Sequence, residues 1–171
     1  AVGRRLARQT GRPLQDTDQL ITAREGKTIP DLFREEGENA FRDLESEILR
    51  SLSRSGGQII STGGGVIVKD RNLPFMSGSG AVVYLRTKPE SVLERISPED
   101  ETRPMLKTRK GQALIERVEE LMSARASKYL SAADVVVDTD GLTPEEISKK
   151  ILKIITSLLF RKTLPEEWLR N

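Results

Sequence analysis

Ile59-Ile60-Ser61-Thr62-Gly63-Gly64-Gly65-Val66-Ile67 is a short apolar stretch that runs straight into three glycines. Two isoleucines and a Ser-Thr pair suit an enclosed, pleated strand. Three glycines at a strand's carboxyl end remove every side chain there, so backbone N–H groups are bare and a ligand can come close. In open α/β sheets, ligands sit outside the carboxyl ends of the strands. A triple glycine standing alone reads more readily as a plain flexible turn, so its neighbours have to decide.

Outward from this stretch, short apolar runs alternate with helical patterns. Toward the amino end, Ala40 to Arg54 is a helix with Phe41, Leu44, Ile48, Leu49 and Leu52 on one stripe, and with Arg42, Glu45 and Arg50 off it. Thr28 caps a helix over Ile29 to Glu36, with Pro30 in its first turn and Gly37 as its stop. Gly26-Lys27 breaks the chain ahead of it. Leu14 to Asp18 is a strand entering an acidic turn, and Gln19 to Glu25 a helix. Ala1 to Thr10 is helical, with Val2 and Leu6 at i, i+4 and Gly11-Arg12-Pro13 at its end.

Toward the carboxyl end, Ala81 to Leu85 and Asp134 to Asp138 are continuous apolar runs, as buried parallel strands should be. Helices are expected over Lys88 to Ile96, over Gln112 to Tyr129, and from the capping box Thr143-Pro144-Glu145-Glu146 to about Phe160. Ser97 to Lys110 carries two prolines and no sustained period, and reads as a mobile loop or lid. The alternation predicts an α/β fold of three layers, a central parallel sheet between two layers of helices. It forms one domain over residues 1–160, with a charged tail over 161–171.

Composition excludes several chemistries. The 171 residues hold 28 Lys+Arg and 26 Asp+Glu, for a net charge of +2. No basic block stands out, so nucleic acid is not an expected partner. No apolar run is long enough to span a bilayer and no signal peptide is visible, so no membrane is expected and the cytoplasm is the expected compartment. There are no cysteines and no histidines. Catalytic triads and His- or Cys-ligated zinc are therefore ruled out. Carboxylates, arginines, lysines, hydroxyls, backbone amides and Mg²⁺ remain.

Candidate site residues each carry two readings. Asp16 and Asp18 end a strand; they suit a metal-bound water and a substrate hydroxyl, or helix caps, which explain one of them well and both poorly. Arg42 near a helix start suits an anion, or an ion pair with Glu38 or Glu45. Arg103-Pro104 in the charged loop suits a phosphate clamp, or an ordinary surface arginine. Arg125 says nothing alone.

The chain resembles the shikimate kinases, small P-loop kinases of aromatic amino-acid biosynthesis with a nucleoside-monophosphate-kinase-like architecture. The matching pieces are DTD at Asp16 to Asp18, FRxLE at Phe41 to Glu45 and STGGG at Ser61 to Gly65. They continue with VVYL at Val82 to Leu85, TRPML at Thr102 to Leu106, RxxxY at Arg125 to Tyr129 and VVDTD at Val136 to Asp140. Together they cover residues 1 to about 157 in the family's order, and the set is specific although no single member is.

The resemblance implies a monomer that phosphorylates shikimate with ATP and Mg²⁺, using helices over residues 28–54 for the substrate and a lid over 97–110. It implies that Asp18 binds the ring hydroxyls, that Arg42 and Arg125 hold the carboxylate, and that Gly63, Gly64 and Gly65 approach through backbone amides. Asp16 would position Mg²⁺ through water, and Arg103 would close on the ATP phosphates. Arg95, with Thr139 and Asp140 in the loop after the last strand, would lie near the adenine. One departure stands out: the family's GxxxxGK[ST] phosphate loop is absent, and no stretch here is read in its place. The resemblance implies about 15 to 20 further residues ahead of Ala1, a mid-sheet strand plus that loop. Residues 1–171 alone are accordingly expected to be inactive. Two alternatives stay open: a binding protein without catalysis, and a related kinase such as gluconate kinase.

Overall fold

The computed structural model describes residues 1–95, 104–106 and 112–163. The lid call (97–110) falls largely outside these residues, as do Arg103 and most of the tail.

The first helix, α1 (Val2–Thr10), ends at Gly11, whose φ of 66° is the left-handed conformation that a helix C-cap needs. Strand β1 (Leu14–Asp16) follows. Helix α2 (Thr17–Glu25) starts two residues earlier than the sequence suggests, because the Asp16 side chain accepts from the Gln19 amide as its N-cap. The cap reading of Asp16 is therefore correct, and Asp18 lies in the first helical turn. Helix α3 (Ile29–Glu35) is capped by Thr28 and ends ahead of Gly37, whose φ of 85° breaks the helix as expected, while α4 (Gly37–Leu52) starts at that glycine and not at Ala40. Strand β2 (Ile59–Ser61) is short. Val66–Val68 beyond the glycines is a 3-10 turn, not a continuation of the strand. Asn72 pins that turn, its buried side-chain amide donating to the Val66 carbonyl at 2.7 Å.

Then come α5 (Leu73–Ser77), β3 (Val83–Arg86), α6 (Pro89–Arg95), α7 (Leu114–Ala132), β4 (Val135–Asp138) and α8 (Pro144–Thr163). Thr143 and Glu146 close the expected capping box at the head of α8, with the Thr143 N–H donating to Glu146 at 2.8 Å and the Glu146 N–H donating back at 3.3 Å.

All strand pairing among the described residues is parallel, but the four strands form two separate pairs. β1 lies on β2 in the register Leu14–Ile59, and β3 on β4 in the register Val83–Val135. Between β2 and β3 runs a cleft of about 660 Å³, lined by residues of both strands and by Val2, Met122, Tyr129 and Ile151. The cleft explains why the strands are less buried than their composition suggests. Ile59 and Ile60 are half-buried, and Leu85 is 38% exposed.

Alternation along β3 places helices on both faces. Val83, like Val2 and Leu6 of α1, packs against the buried cluster of Val135 and Val137 with Ile147 and Ile151 of α8. Tyr84 turns the other way and stacks on Tyr129 of α7. A second apolar cluster, Ile21, Leu32 and Phe41 with Phe33, Leu44 and Ile48, binds α2, α3 and α4 together beside the first pair of strands. The architecture is three-layer α/β/α.

Candidate active site

Each of the three glycines after β2 is faced by a different side chain. A Cβ on Gly63 would sit 3.2 Å from an Asp18 carboxylate oxygen and 3.5 Å from Glu45. One on Gly64 would lie 3.0 Å from the Tyr129 hydroxyl, and one on Gly65 would overlap the Arg42 guanidinium. At Gly65 a side chain has no room unless Arg42 moves, whereas at Gly63 and Gly64 a methyl group would press on Asp18 and Tyr129.

Arg42 and Glu45 are three residues apart on α4 and lie off its apolar stripe, so a solvated face is expected for them. Both are buried, at 4% and 2% exposure. The glycine loop closes over this second side of the helix. The Arg42 guanidinium pairs with Glu45 at 2.5 Å, reaches Glu38 at 3.3 Å, and lies 5.3 Å from the Phe41 ring centre and 5.8 Å from that of Phe33. The ion-pair reading of Arg42 is thus correct, yet the pair is an enclosed one. Burial pushes the Glu45 carboxyl above its ordinary range. Arg42 pulls it back, Asp18 adds to the rise, and Arg125 opposes it. Glu45 therefore feels Arg42, Asp18 and Arg125 around the loop. Arg125 donates to the Gly64 carbonyl at 3.4 Å from α7. Glu45 and Tyr129 belong to this cluster as well. The i, i+3 spacing with Arg42 and the i, i+4 spacing with Arg125 are the signals that could have found them.

The residues expected near the nucleotide gather at the carboxyl ends of β3 and β4. The Arg95 guanidinium donates to the Thr139 carbonyl at 3.3 Å. The Thr139 hydroxyl is buried and donates to the Arg86 carbonyl at 3.1 Å, its N–H donates to the same oxygen at 2.9 Å, and its carbonyl also accepts from the Leu142 N–H at 3.2 Å, so Thr139 shapes this loop from within. Asp140 accepts from the Lys88 amide at 3.0 Å and the Thr87 hydroxyl at 2.7 Å, which holds its carboxyl down to about 2. A lowered carboxyl stabilises the fold above its ordinary value, and that contribution is lost as pH falls through about 2. Asp140→Asn is therefore expected to flatten the acid limb of the melting-temperature profile between about pH 4 and pH 2, read by thermal melts of both proteins. An unchanged limb would show that the Asp140 contacts do not stabilise the fold.

A Gly-Lys-Thr does occur, at Gly26 to Thr28, although the sequence reading passes over it. Ile21 stands where GxxxxGK[ST] requires its first glycine. Gly26 caps α2 at φ 65°, Thr28 caps α3, and Lys27 pairs with Glu36 at 2.8 Å and Glu35 at 3.1 Å. This is a helix-to-helix turn, not a phosphate cradle. For a cation, the described residues offer no cluster of three or more acidic side chains. Asp16 is half-buried and one of its oxygens accepts the cap hydrogen bond; a lone carboxylate of this kind suits a magnesium ion that keeps most of its water.

A parallel three-layer α/β fold with a bare-backbone loop at a strand's carboxyl end, flanked by two arginines and a carboxylate, is the layout of a small-molecule kinase of the P-loop class. The family model "Shikimate kinase" matches residues 1–156. The shikimate kinase of Thermodesulfovibrio yellowstonii is 34% identical over 163 residues, covering 95% of this chain and 91% of that protein. The shikimate kinase of Persephonella marina is 38% identical over 151 residues, 88% of each. Among solved structures, the Acinetobacter baumannii shikimate kinase in complex with shikimate superposes with a TM-score of 0.86 at 34% identity, covering 91% of this chain and 85% of that one. The chain belongs to the shikimate kinase family.

Proposed function

We infer that the cluster around Gly63–Gly65 is the shikimate pocket of a kinase that transfers the γ-phosphoryl group of ATP to a ring hydroxyl of shikimate. The enzyme is a shikimate kinase of aromatic amino-acid biosynthesis, with ATP as co-substrate and Mg²⁺ as its metal. The observation that carries the site assignment is the convergence of Asp18, Arg42 and Arg125 on three glycines. Neither the binding-only reading nor the gluconate kinase reading draws support from the comparisons.

In this reading the arginines Arg42 and Arg125 fix the carboxylate, and the glycine amides bound the ring. Asp18 accepts a hydrogen bond from the reacting hydroxyl and takes its proton as the new O–P bond forms. Phosphoryl transfer needs alignment and charge neutralisation more than an activated nucleophile, so a site without histidine suffices. Mg²⁺, when bound, neutralises phosphate charge, and Asp16 is the residue placed to orient it through water. Arg95 and the backbone at Thr139 and Asp140 flank the adenine side. Arg103, outside the described residues, is assigned to the phosphates on its chemistry alone. Residues 1–160 act as one domain, with the tail outside it. Among the described residues no helix is long and apolar enough to cross a membrane. In this reading the enzyme is a cytoplasmic monomer that acts on shikimate and ATP without a nucleic-acid or membrane partner.

Asp18→Asn keeps the shape of the side chain and removes its charge. Shikimate affinity, measured by calorimetry, is expected to fall roughly tenfold, near the upper range for one hydrogen bond. Affinity for a cyclohexene carboxylate without ring hydroxyls is expected to hold. Equal losses for both ligands would place Asp18 away from the hydroxyls.

A further inference from the structure

We propose that Tyr129 is a positioning residue for shikimate, holding the Gly64–Gly65 peptide in the orientation the bound acid requires; this rests on the site assignment above. The Tyr129 hydroxyl donates to the Gly64 carbonyl at 2.5 Å. Arg125, one helical turn earlier on α7, donates to the same oxygen at 3.4 Å. A trans peptide holds its carbonyl and its N–H in one plane, pointing opposite ways. Tying the Gly64 carbonyl to α7 therefore aims the Gly65 N–H away from α7. A glycine pair has little intrinsic preference among backbone conformations, so the peptide's direction comes from its partners: the Val66 N–H donates to the Gly63 carbonyl across it at 3.3 Å, and Tyr129 makes the shortest hydrogen bond to the peptide itself.

The tyrosine is itself braced. Its ring stacks on Tyr84 with centroids 4.8 Å apart and planes 16° from parallel. Tyr84 lies on β3, whereas the glycines follow β2, and no strand pairing joins those two strands among the described residues. The Gly64–Tyr129–Tyr84 chain thus references the shikimate loop to the pair of strands that carries Arg95, Thr139 and Asp140 at its far end. Donor and acceptor sites of a phosphoryl transfer must keep a fixed separation, and this contact spans the cleft between them.

Tyr129→Phe removes the hydroxyl and keeps the stacked ring. Shikimate affinity is expected to drop about 3- to 10-fold, the range for one hydrogen bond, with little change in melting temperature because the ring contact stays. Gly64→Ala places a methyl group against the hydroxyl at 3.0 Å and is expected to cost affinity by itself. In the Tyr129→Phe background the oxygen is gone, so the same alanine is expected to cost less. A role in stability alone would lower the melting temperature and leave the folded protein's affinity, and this coupling, untouched. Calorimetric titration of shikimate into the four proteins decides. Wild-type affinity in Tyr129→Phe, or strictly additive losses, would overturn the inference and leave the site assignment standing. No shikimate binding by the wild-type chain would overturn both.

Discussion

Gly65→Ala is expected to weaken shikimate binding by roughly 10- to 150-fold, the equivalent of about 1.5–3 kcal/mol for hydrogen bonds to a charged group. The backbone is not the obstacle, since Gly65 has φ −86° and ψ −15°, which alanine adopts freely. The obstacle is the Arg42 guanidinium, which occupies the place of the new methyl group. Arg42 cannot simply withdraw, because Glu45 holds it at 2.5 Å and the Phe33 and Phe41 rings pack beside it. A displaced Arg42 leaves Glu45 buried with less compensation, and breaking such a pair costs about 3–5 kcal/mol when the remaining charge stays put.

The same change has a pH signature. The Glu45 carboxyl is already raised above its ordinary value near 4.5, chiefly by burial. Loss of Arg42 raises it further. A carboxyl raised in the fold binds its proton more tightly there than in the unfolded chain, so stability falls as pH climbs from 4.5 to the raised value. Gly65→Ala is therefore expected to be closest to wild type in acid and to lose melting temperature toward neutrality. Adding Glu45→Gln should restore the neutral melting temperature without restoring shikimate binding. Full affinity in Gly65→Ala would remove Arg42 from the carboxylate site.

What the sequence made legible follows from local rules. The helix stops at Gly11 and Gly26 and the caps at Thr28 and Thr143 depend on a few neighbouring atoms, and the structure places them as read. The order of strands and helices, and the parallel pairing, also follow from alternating apolar runs. Burial did not. Periodicity assigns Arg42 and Glu45 to a solvated face because it sees one helix at a time, and the loop that covers them comes about twenty residues later. Val66 to Val68 looks like more strand by composition, yet the turn after the glycines is set by the Gly65 carbonyl accepting from Val68 at 2.9 Å. Asp16 and Asp18 look alike in sequence. They separate only once a cap is seen to claim one of them. The i, i+4 spacing puts Tyr129 on the same face as Arg125, but its partners, a carbonyl and a ring on two other elements, show only in the fold.

The largest effect is expected at the nucleotide. Residues 1–171 by themselves are expected to release ADP from Mg-ATP and shikimate no faster than a blank. The same residues joined behind an extended apolar segment ending in GxxxxGK[ST] are expected to turn over at a rate typical of kinases, about 1–100 per second. The chemical reason is that the described residues supply no amide cradle for β- and γ-phosphates; the Gly26-Lys27-Thr28 turn has its lysine on Glu35 and Glu36. The structural reason is the cleft of about 660 Å³ between β2 and β3. Both flanking strands present backbone edges there, which a fifth parallel strand can pair. Val2 and Gly3 line the cleft, and a Cβ on Gly3 would lie 3.5 Å from that of Ser61 at the carboxyl end of β2. A strand through the cleft would therefore deliver its loop to the amino end of α1, where backbone N–H groups favour phosphate. Each Val, Ile or Leu buried by that strand contributes roughly 1.5–3 kcal/mol, so a few of them rival a domain's whole net stability. The extension is thus expected to raise the melting temperature together with turnover. Shikimate affinity should change far less, because Asp18, Arg42, Arg125 and the glycines all lie within residues 1–171. Equal turnover with and without the extension would move the nucleotide site elsewhere on the molecule.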